Sequence, residues 1–169
     1  MTQRLTEAEL LEIARKYSFR SRIDSNAVAG PIMVWGRGSV VRDVNGKEYL
    51  DFNSGQMCAA LGHNHPRINA AIKSQLDQIA HSTLLGLSNV PSTLLARKLA
   101  EISPQGLTRV FYSDSGSTST EIALKIAFQY WQLRGETRRI KFASLVEAYH
   151  GDTLGAVSVG YSELFHHFY

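Results

Sequence analysis

TRVFYSDSGSTSTEIALKIAFQYW, residues 108–131, is the stretch on which the fold turns. Thr108–Tyr112 is a short run rich in apolar and β-forming residues and reads as a strand. Ser113–Ser117 is a loop of small residues, and the segment after it has helical period, with Ile122, Ile126, Tyr130 and Leu133 on one face. KFASL, residues 141–145, reads as a second buried strand and leads into Glu147-Ala-Tyr-His-Gly151. Strand, loop, helix and strand in that order predict a βαβ unit of a parallel sheet, hence an α/β fold. The expectation is parallel strands within residues 108–160, a long helix starting near Ser117, and the Ser115–Ser117 and Tyr149–Gly151 loops at the same sheet edge.

The first loop has the makings of a phosphate site. A helix N-terminus carries unpaired N–H groups and partial positive charge, and small residues let the backbone close on an anion. Ser115, Gly116, Ser117 and Thr118 sit where such a cup belongs, between strand and helix. Taken alone, the segment reads more readily as a turn with an N-cap than as a phosphate cup, because Ser and Asp cap helices routinely. It lacks the Gly-Lys-Ser/Thr of a nucleotide P-loop and the G-x-G-x-x-G of a dinucleotide fold. Tyr149, His150 and Gly151 come after the next strand. There an aromatic ring could stack on a flat cofactor, with the glycine permitting close approach. A phosphate cup and an aromatic platform on neighbouring strand ends suit a planar, phosphorylated cofactor.

Upstream, Thr6 and Glu9 have capping-box spacing, and Leu10, Leu11, Ala14 and Tyr17 continue a short helix. IMVW (32–35), SVVRDV (39–44) and EYLDF (48–52) read as three strands, the last two joined at Asn45-Gly46, a small antiparallel meander. Asn53-Ser-Gly-Gln-Met57 is a loop, and CAALG (58–62) leads to His63-Asn-His-Pro66. Pro66 suits the first turn of a helix whose apolar face is Ile68, Ile72, Leu76 and Ile79. Pro91 opens another, with Leu94, Leu95, Leu99 and Ile102 inward and Pro104 to Gly106 ending it. The change from meander-and-helix to α/β grammar falls around residues 60 to 80.

Composition narrows the function classes. The 169 residues are 44% hydrophobic and 20% charged, with a formal net charge of +3 and no basic block, so nucleic acid is not favoured. The single Cys58 cannot form an internal disulfide, which fits a reducing compartment. The N-terminus is too polar for a signal peptide and no apolar run approaches membrane-spanning length, so the expectation is a cytoplasmic protein without a membrane partner. His63 and His65 have H-x-H spacing, but no further Cys, His or carboxylate constellation supports a metal there.

Three segments together resemble the class III, fold-type I family of pyridoxal-phosphate (PLP) enzymes, mostly aminotransferases. They are GSVVRDVNGKEYLDFNSGQMCAALGHNHPRI (38–68), FYSDSGSTSTEIALKIAFQYW (111–131) and AYHGDTLGAVSVG (148–160), in order and suitably spaced. The resemblance implies residues 1–65 as the N-terminal segment of a small domain carrying the meander, and 66–169 as the first, incomplete part of the PLP-binding large domain. It implies Gly116 and Ser117 as the phosphate-contacting pair with Ser115 beside them, Tyr149 stacked on the pyridine ring, and His150 and Gly151 completing that loop. Gln56 matches a glutamine that faces the substrate carboxylate in 2,2-dialkylglycine decarboxylases. The Ser-Gly-Gln-Met and Leu-Gly-His-Asn-His-Pro segments resemble that decarboxylating branch. SDSGS, FQYW and YHGDTLGAVSVG are more similar to the branch that makes 7,8-diaminopelargonate.

In the family the Schiff-base lysine and the aspartate pairing the pyridine nitrogen come after the Tyr-His-Gly segment. None of Lys16, Lys47, Lys73, Lys98, Lys125 and Lys141 has that lysine's context. The chain is therefore expected to be a fragment, inactive by itself. The resemblance further implies an amine or amino acid and an oxo acid as substrates, and a homodimer in the intact form, with Ser82–Asn89 approaching the partner's cofactor. Three functions stay open: a transaminase, a dialkylglycine-type decarboxylase, and a non-catalytic remnant or interaction fragment.

Overall fold

The computed structural model describes residues 5–17 and 30–167. Phe168-Tyr169 and most of the stretch expected to end at Gly30-Pro31 lie outside the described residues. The described residues are mixed α and β. The chain divides into two compact units, Met1–Thr83 and Leu84–Tyr169.

In the first unit, α1 (Glu7–Tyr17) starts where the capping box places it. The Glu9 carboxylate accepts from the Thr6 N–H at 2.7 Å and from the Thr6 hydroxyl at 2.8 Å. β1 (Met33–Arg37), β2 (Val40–Asp43) and β3 (Glu48–Leu50) form an antiparallel sheet in that order. The β2–β3 hairpin is built by Asp43. Its carboxylate accepts from the N–H groups of Asn45 and Lys47 at 3.0 and 2.9 Å and from the Tyr49 hydroxyl at 2.8 Å. Those bonds, the one from Tyr49 foremost, hold the Asp43 pKa below the usual carboxylate range. Gly46, at φ 86°, supplies the left-handed position of the turn.

The Gly-His-Asn-His-Pro segment packs on this sheet. Gly38 and His63 exchange backbone hydrogen bonds at 3.0 and 2.8 Å. A Cβ on Gly62, at φ 85°, would lie 3.0 Å from the Gly38 Cα, so the close approach of two backbones requires a glycine there. In sequence, the four residues of α2 (Ser54–Met57) come between the sheet and this segment. α3 (Pro66–Leu76) then begins with proline in its first turn. The helix stops at Leu76, short of Ile79, the fourth member of its expected apolar face.

In the second unit, α4 (Val90–Ile102) is capped by Asn89, whose side chain accepts from the Ser92 N–H at 3.0 Å. α5 (Gly116–Leu133) is the long helix expected from the sequence, and it begins one residue before Ser117. α6 (Leu154–Val159) and α7 (Glu163–His166) are short helices with no counterpart among the sequence expectations.

The expected parallel strands at 108–112 and 141–145 are not formed. Among the described residues the only sheet is the three-stranded meander. A strand exists only with a ladder partner, and neither segment finds one. Among the described residues the two apolar runs do not pair with each other. The Tyr112 hydroxyl instead donates to the Ser92 carbonyl at 2.6 Å, tying the first run to α4.

Candidate functional site

The second unit brings two of the sequence motifs together without a sheet beneath them. Ser115 is the N-cap of α5. Its hydroxyl accepts from the Thr118 N–H at 3.2 Å, and the Thr118 hydroxyl accepts from the Ser115 N–H at 3.0 Å, a reciprocal capping box. The Asp114 carboxylate accepts from the same threonine hydroxyl at 2.7 Å, and this bond lowers the Asp114 pKa. Ser115 thus fixes the entry to the helix and does not line the cleft. The next two residues, Gly116 and Ser117, carry N–H groups that have no acceptor inside the helix, and among the described residues no side chain accepts from them.

These residues open onto a cleft of about 720 Å³ lined by Gly116, Ser117, Thr120 and Tyr149–Thr153. Five of the six residues expected to bind the cofactor, Gly116, Ser117, Tyr149, His150 and Gly151, are therefore on one surface. A Cβ on Gly116 would meet nothing within 4 Å. The missing side chain leaves open space beside free amides at a helix N-terminus, which is the room and charge that a phosphate needs. The residues present fit that group.

Two residues that sequence reasoning overlooked hold the second loop in place. The Thr153 N–H donates to the Ser117 hydroxyl at 3.0 Å, and that hydroxyl donates to the Thr153 hydroxyl at 3.0 Å. The Ser117 side chain is therefore a clamp between loops, leaving its backbone N–H for an anion. Glu121, one turn along α5, accepts from the Gly155 N–H at 2.6 Å. Its pKa is lowered first by a bond from Thr153 and then by backbone N–H groups at the start of α6, so the carboxylate serves as that helix's N-terminal partner. The signal was present in principle, since an acidic residue on α5 facing a Gly-Ala turn has free amides to satisfy, but its partner lies 34 residues away.

Gly151 has a different reason to be glycine from the one expected. It is buried, with φ 113°, and a Cβ there would lie 2.5 Å from the Ser117 Cβ and 2.8 Å from its Cα. The close approach is to the N-terminus of α5. The Thr120 hydroxyl reaches the His150 carbonyl at 3.4 Å and adds to the same seam.

Tyr149 is 57% exposed, and its ring lies nearly parallel to the His166 ring, 10° between planes and 6.0 Å between centroids. Its hydroxyl donates to the Asp152 carboxylate at 2.9 Å, which raises the tyrosine pKa and fixes the ring's rotation. His166 itself is 2% exposed, its Nδ1 accepting from the Ser162 N–H at 3.0 Å. The Tyr149 ring is thus anchored at its hydroxyl and lies alongside a buried imidazole. Among the described residues no lysine lines the cleft.

Gln56 belongs to the first unit. Its short helix, α2, is a left-handed turn: φ is 49°, 57°, 59° and 67° at Ser54, Gly55, Gln56 and Met57. Left-handed helical geometry costs an L-residue roughly 1–2 kcal/mol, and three of these four residues are not glycine. Such strain persists only where the surroundings over-determine it. The Met57 N–H donates to the Asn53 carbonyl at 2.8 Å and the Ala59 N–H to the Ser54 carbonyl at 2.7 Å. Asp51 accepts from the Gly55 N–H at 2.8 Å and from His63 Nε2 at 2.7 Å. Among the described residues no group of three or more His, Cys, Asp or Glu side chains is placed to hold a metal.

The class III aminotransferase family model matches residues 25–168, and the chain belongs to that family. Among curated relatives, it is 55% identical over 131 residues to the adenosylmethionine-8-amino-7-oxononanoate aminotransferase of Methanocaldococcus jannaschii, covering 78% of this chain and 28% of that protein. It is 53% identical to the enzyme of the same name from Aquifex aeolicus, covering 78% of this chain and 29% of that one. The crystal structure of the M. jannaschii enzyme superposes with a TM-score of 0.90 at 44% identity, over 96% of this chain and 38% of that one. An (S)-enantioselective omega-transaminase from Thermomicrobium roseum superposes at 0.88 with 31% identity, over 96% of this chain and 37% of that one. The chain therefore spans about 30% of the length of the curated relatives it matches.

Proposed function

We propose that this chain is the N-terminal part of a PLP-dependent transaminase that moves an amino group from S-adenosylmethionine to 8-amino-7-oxononanoate. The observation that carries the reading is the cleft where Gly116 and Ser117 amides meet the Tyr149–Gly151 loop. The 53–55% identity to enzymes named for that reaction supports the choice of substrates. In this reading the Gly116 and Ser117 N–H groups hold the phosphate, and Tyr149 offers its ring to the pyridine. Bound PLP supplies an electron sink for labilising bonds at the substrate's amine-bearing carbon. The protein orients that carbon and keeps the cofactor from turning. Residues 1–65 belong to the small domain and 66–169 to the large one, and the intact enzyme is a cytoplasmic homodimer.

Gln56 favours a second reading. It lies in the Ser-Gly-Gln-Met segment that resembles dialkylglycine decarboxylases, where the matching glutamine faces the substrate carboxylate. Assaying the full-length enzyme with PLP separates the two. Amino transfer from S-adenosylmethionine to 8-amino-7-oxononanoate without carbon dioxide release supports the first. Carbon dioxide released from a 2,2-dialkylglycine supports the second. Turnover of neither contradicts both.

A further inference from the structure

Among the described residues, the longest run of left-handed backbone is α2. Four consecutive residues, Ser54–Met57, hold left-handed φ values between 49° and 67°, and only Gly55 does so without a steric penalty. Backbone bonds alone do not select this hand, since a right-handed turn would satisfy similar groups. What is specific to this turn is a side-chain contact at its centre. Asp51 Oδ2 accepts from the Gly55 N–H at 2.8 Å, and the same oxygen meets His63 Nε2 at 2.7 Å. His63 is in turn fixed to the sheet by its backbone exchange with Gly38, and its side chain lies against Gly36, where an added Cβ would come within 3.0 Å of it. The path from the rigid meander to the strained turn is thus Gly38, His63, Asp51, Gly55.

We propose that Asp51 and His63 are positioning residues that lock the Ser54–Met57 turn in its left-handed form and so set where Gln56 presents its amide to a substrate carboxylate. The second clause rests on the reading of Gln56 given above; the first does not. The H-x-H spacing thereby acquires a role for its first histidine that needs no metal. Asp51 as a carboxylate requires a proton on His63 Nε2, so the bond fixes that nitrogen as the donor.

The test uses full-length enzyme with PLP and two donor probes that each carry an α-carboxylate, S-adenosylmethionine and a 2,2-dialkylglycine, comparing Asp51→Asn, His63→Leu, His63→Gln and Gln56→Ala. Amide hydrogen exchange at Gly55 reports the turn directly. Asp51→Asn and His63→Leu are expected to speed that exchange and to raise KM for the donor roughly tenfold, with kcat within about twofold. His63→Gln, which keeps an N–H donor, restores most of the loss. Met57→Gly, which removes the penalty at one strained position, partly rescues Asp51→Asn. Unchanged Gly55 exchange and an unchanged crystallographic turn in both Asp51→Asn and His63→Leu overturn the clamp. So does a KM raised by Gln56→Ala but by neither clamp variant. If Gln56→Ala changes nothing, the reading of Gln56 is wrong, and the clamp stands or falls on the exchange and φ values. Should Asp51→Asn fail to fold, His63→Leu carries the same comparison.

Discussion

Gly116 and Gly151 are both glycines of the same cleft, yet they are glycine for opposite reasons. Gly116 faces open space, whereas Gly151 combines φ 113° with a neighbour too close for any Cβ. Gly116→Ala is expected to leave stability within about 0.5 kcal/mol, while the new methyl occupies room beside the free amides and weakens PLP binding roughly tenfold. Gly151→Ala is expected to destabilise the fold by roughly 1–3 kcal/mol, because the loop must leave α5. Urea unfolding and a spectrophotometric PLP titration on the full-length enzyme separate the two effects. That Gly116 and Ser117 stand at a helix N-terminus was legible, because small residues before a helical period are a local signal. The reason for Gly151 was not, because the atom that excludes a side chain belongs to Ser117, far off in sequence. Nor was the left-handed turn: Ser54, Gln56 and Met57 are residues that local preference sends elsewhere, and only Asp51 and His63 make the choice intelligible.

At the scale of elements, α5 and α6 are joined through side chains that serve as caps. Ser115 caps α5 in a reciprocal box, and Ser115→Ala is expected to cost about 1 kcal/mol. That loss can be read by chemical unfolding, with helix content otherwise kept. Glu121 ties α6 to α5, and its depressed pKa gives that tie a pH dependence. A carboxyl whose folded pKa lies below its unfolded value contributes stability that is complete above the unfolded value and is lost as pH falls through the folded one. Here the unfolded value is near 4.5, so the contribution is intact at neutral pH and disappears in acid below that. Exchange of the Gly155 amide should therefore accelerate relative to α5 amides, corrected for intrinsic rates, as pH drops below 4.5. Glu121→Ala should produce the same acceleration at neutral pH and abolish the pH step. The meander, the capping box before α1 and the helices α3 to α5 could be read from sequence because turns, caps and helical period are written within a few residues. The strands at 108–112 and 141–145 could be read only as apolar runs, since a ladder is a property of two segments and their partners.

At the scale of the whole molecule, the main feature is how much apolar surface stays uncovered. Among the described residues only Ala156 and Val157 are buried apolar side chains, while Phe52, Leu85, Leu145 and Val146 are each at least 82% exposed. Ile68, Ile72 and Leu76 on α3 form the expected apolar face, and all three are open to solvent. Bare faces of this extent are covered in a stable fold or else drive association. The isolated 169-residue chain should bind a hydrophobic dye strongly and sediment as a distribution of assemblies, whereas the full-length protein should sediment as one homodimer. A monodisperse, dye-silent fragment would contradict this. The central claim, that the Gly116–Ser117 amides and the Tyr149 ring are a cofactor cradle, is tested most directly by a crystal structure of the full-length enzyme with PLP. The phosphate is expected within hydrogen-bonding distance of the Gly116 and Ser117 N–H groups, with the pyridine ring over Tyr149. A phosphate bound elsewhere, with the α5 N-terminus left to water, would contradict it.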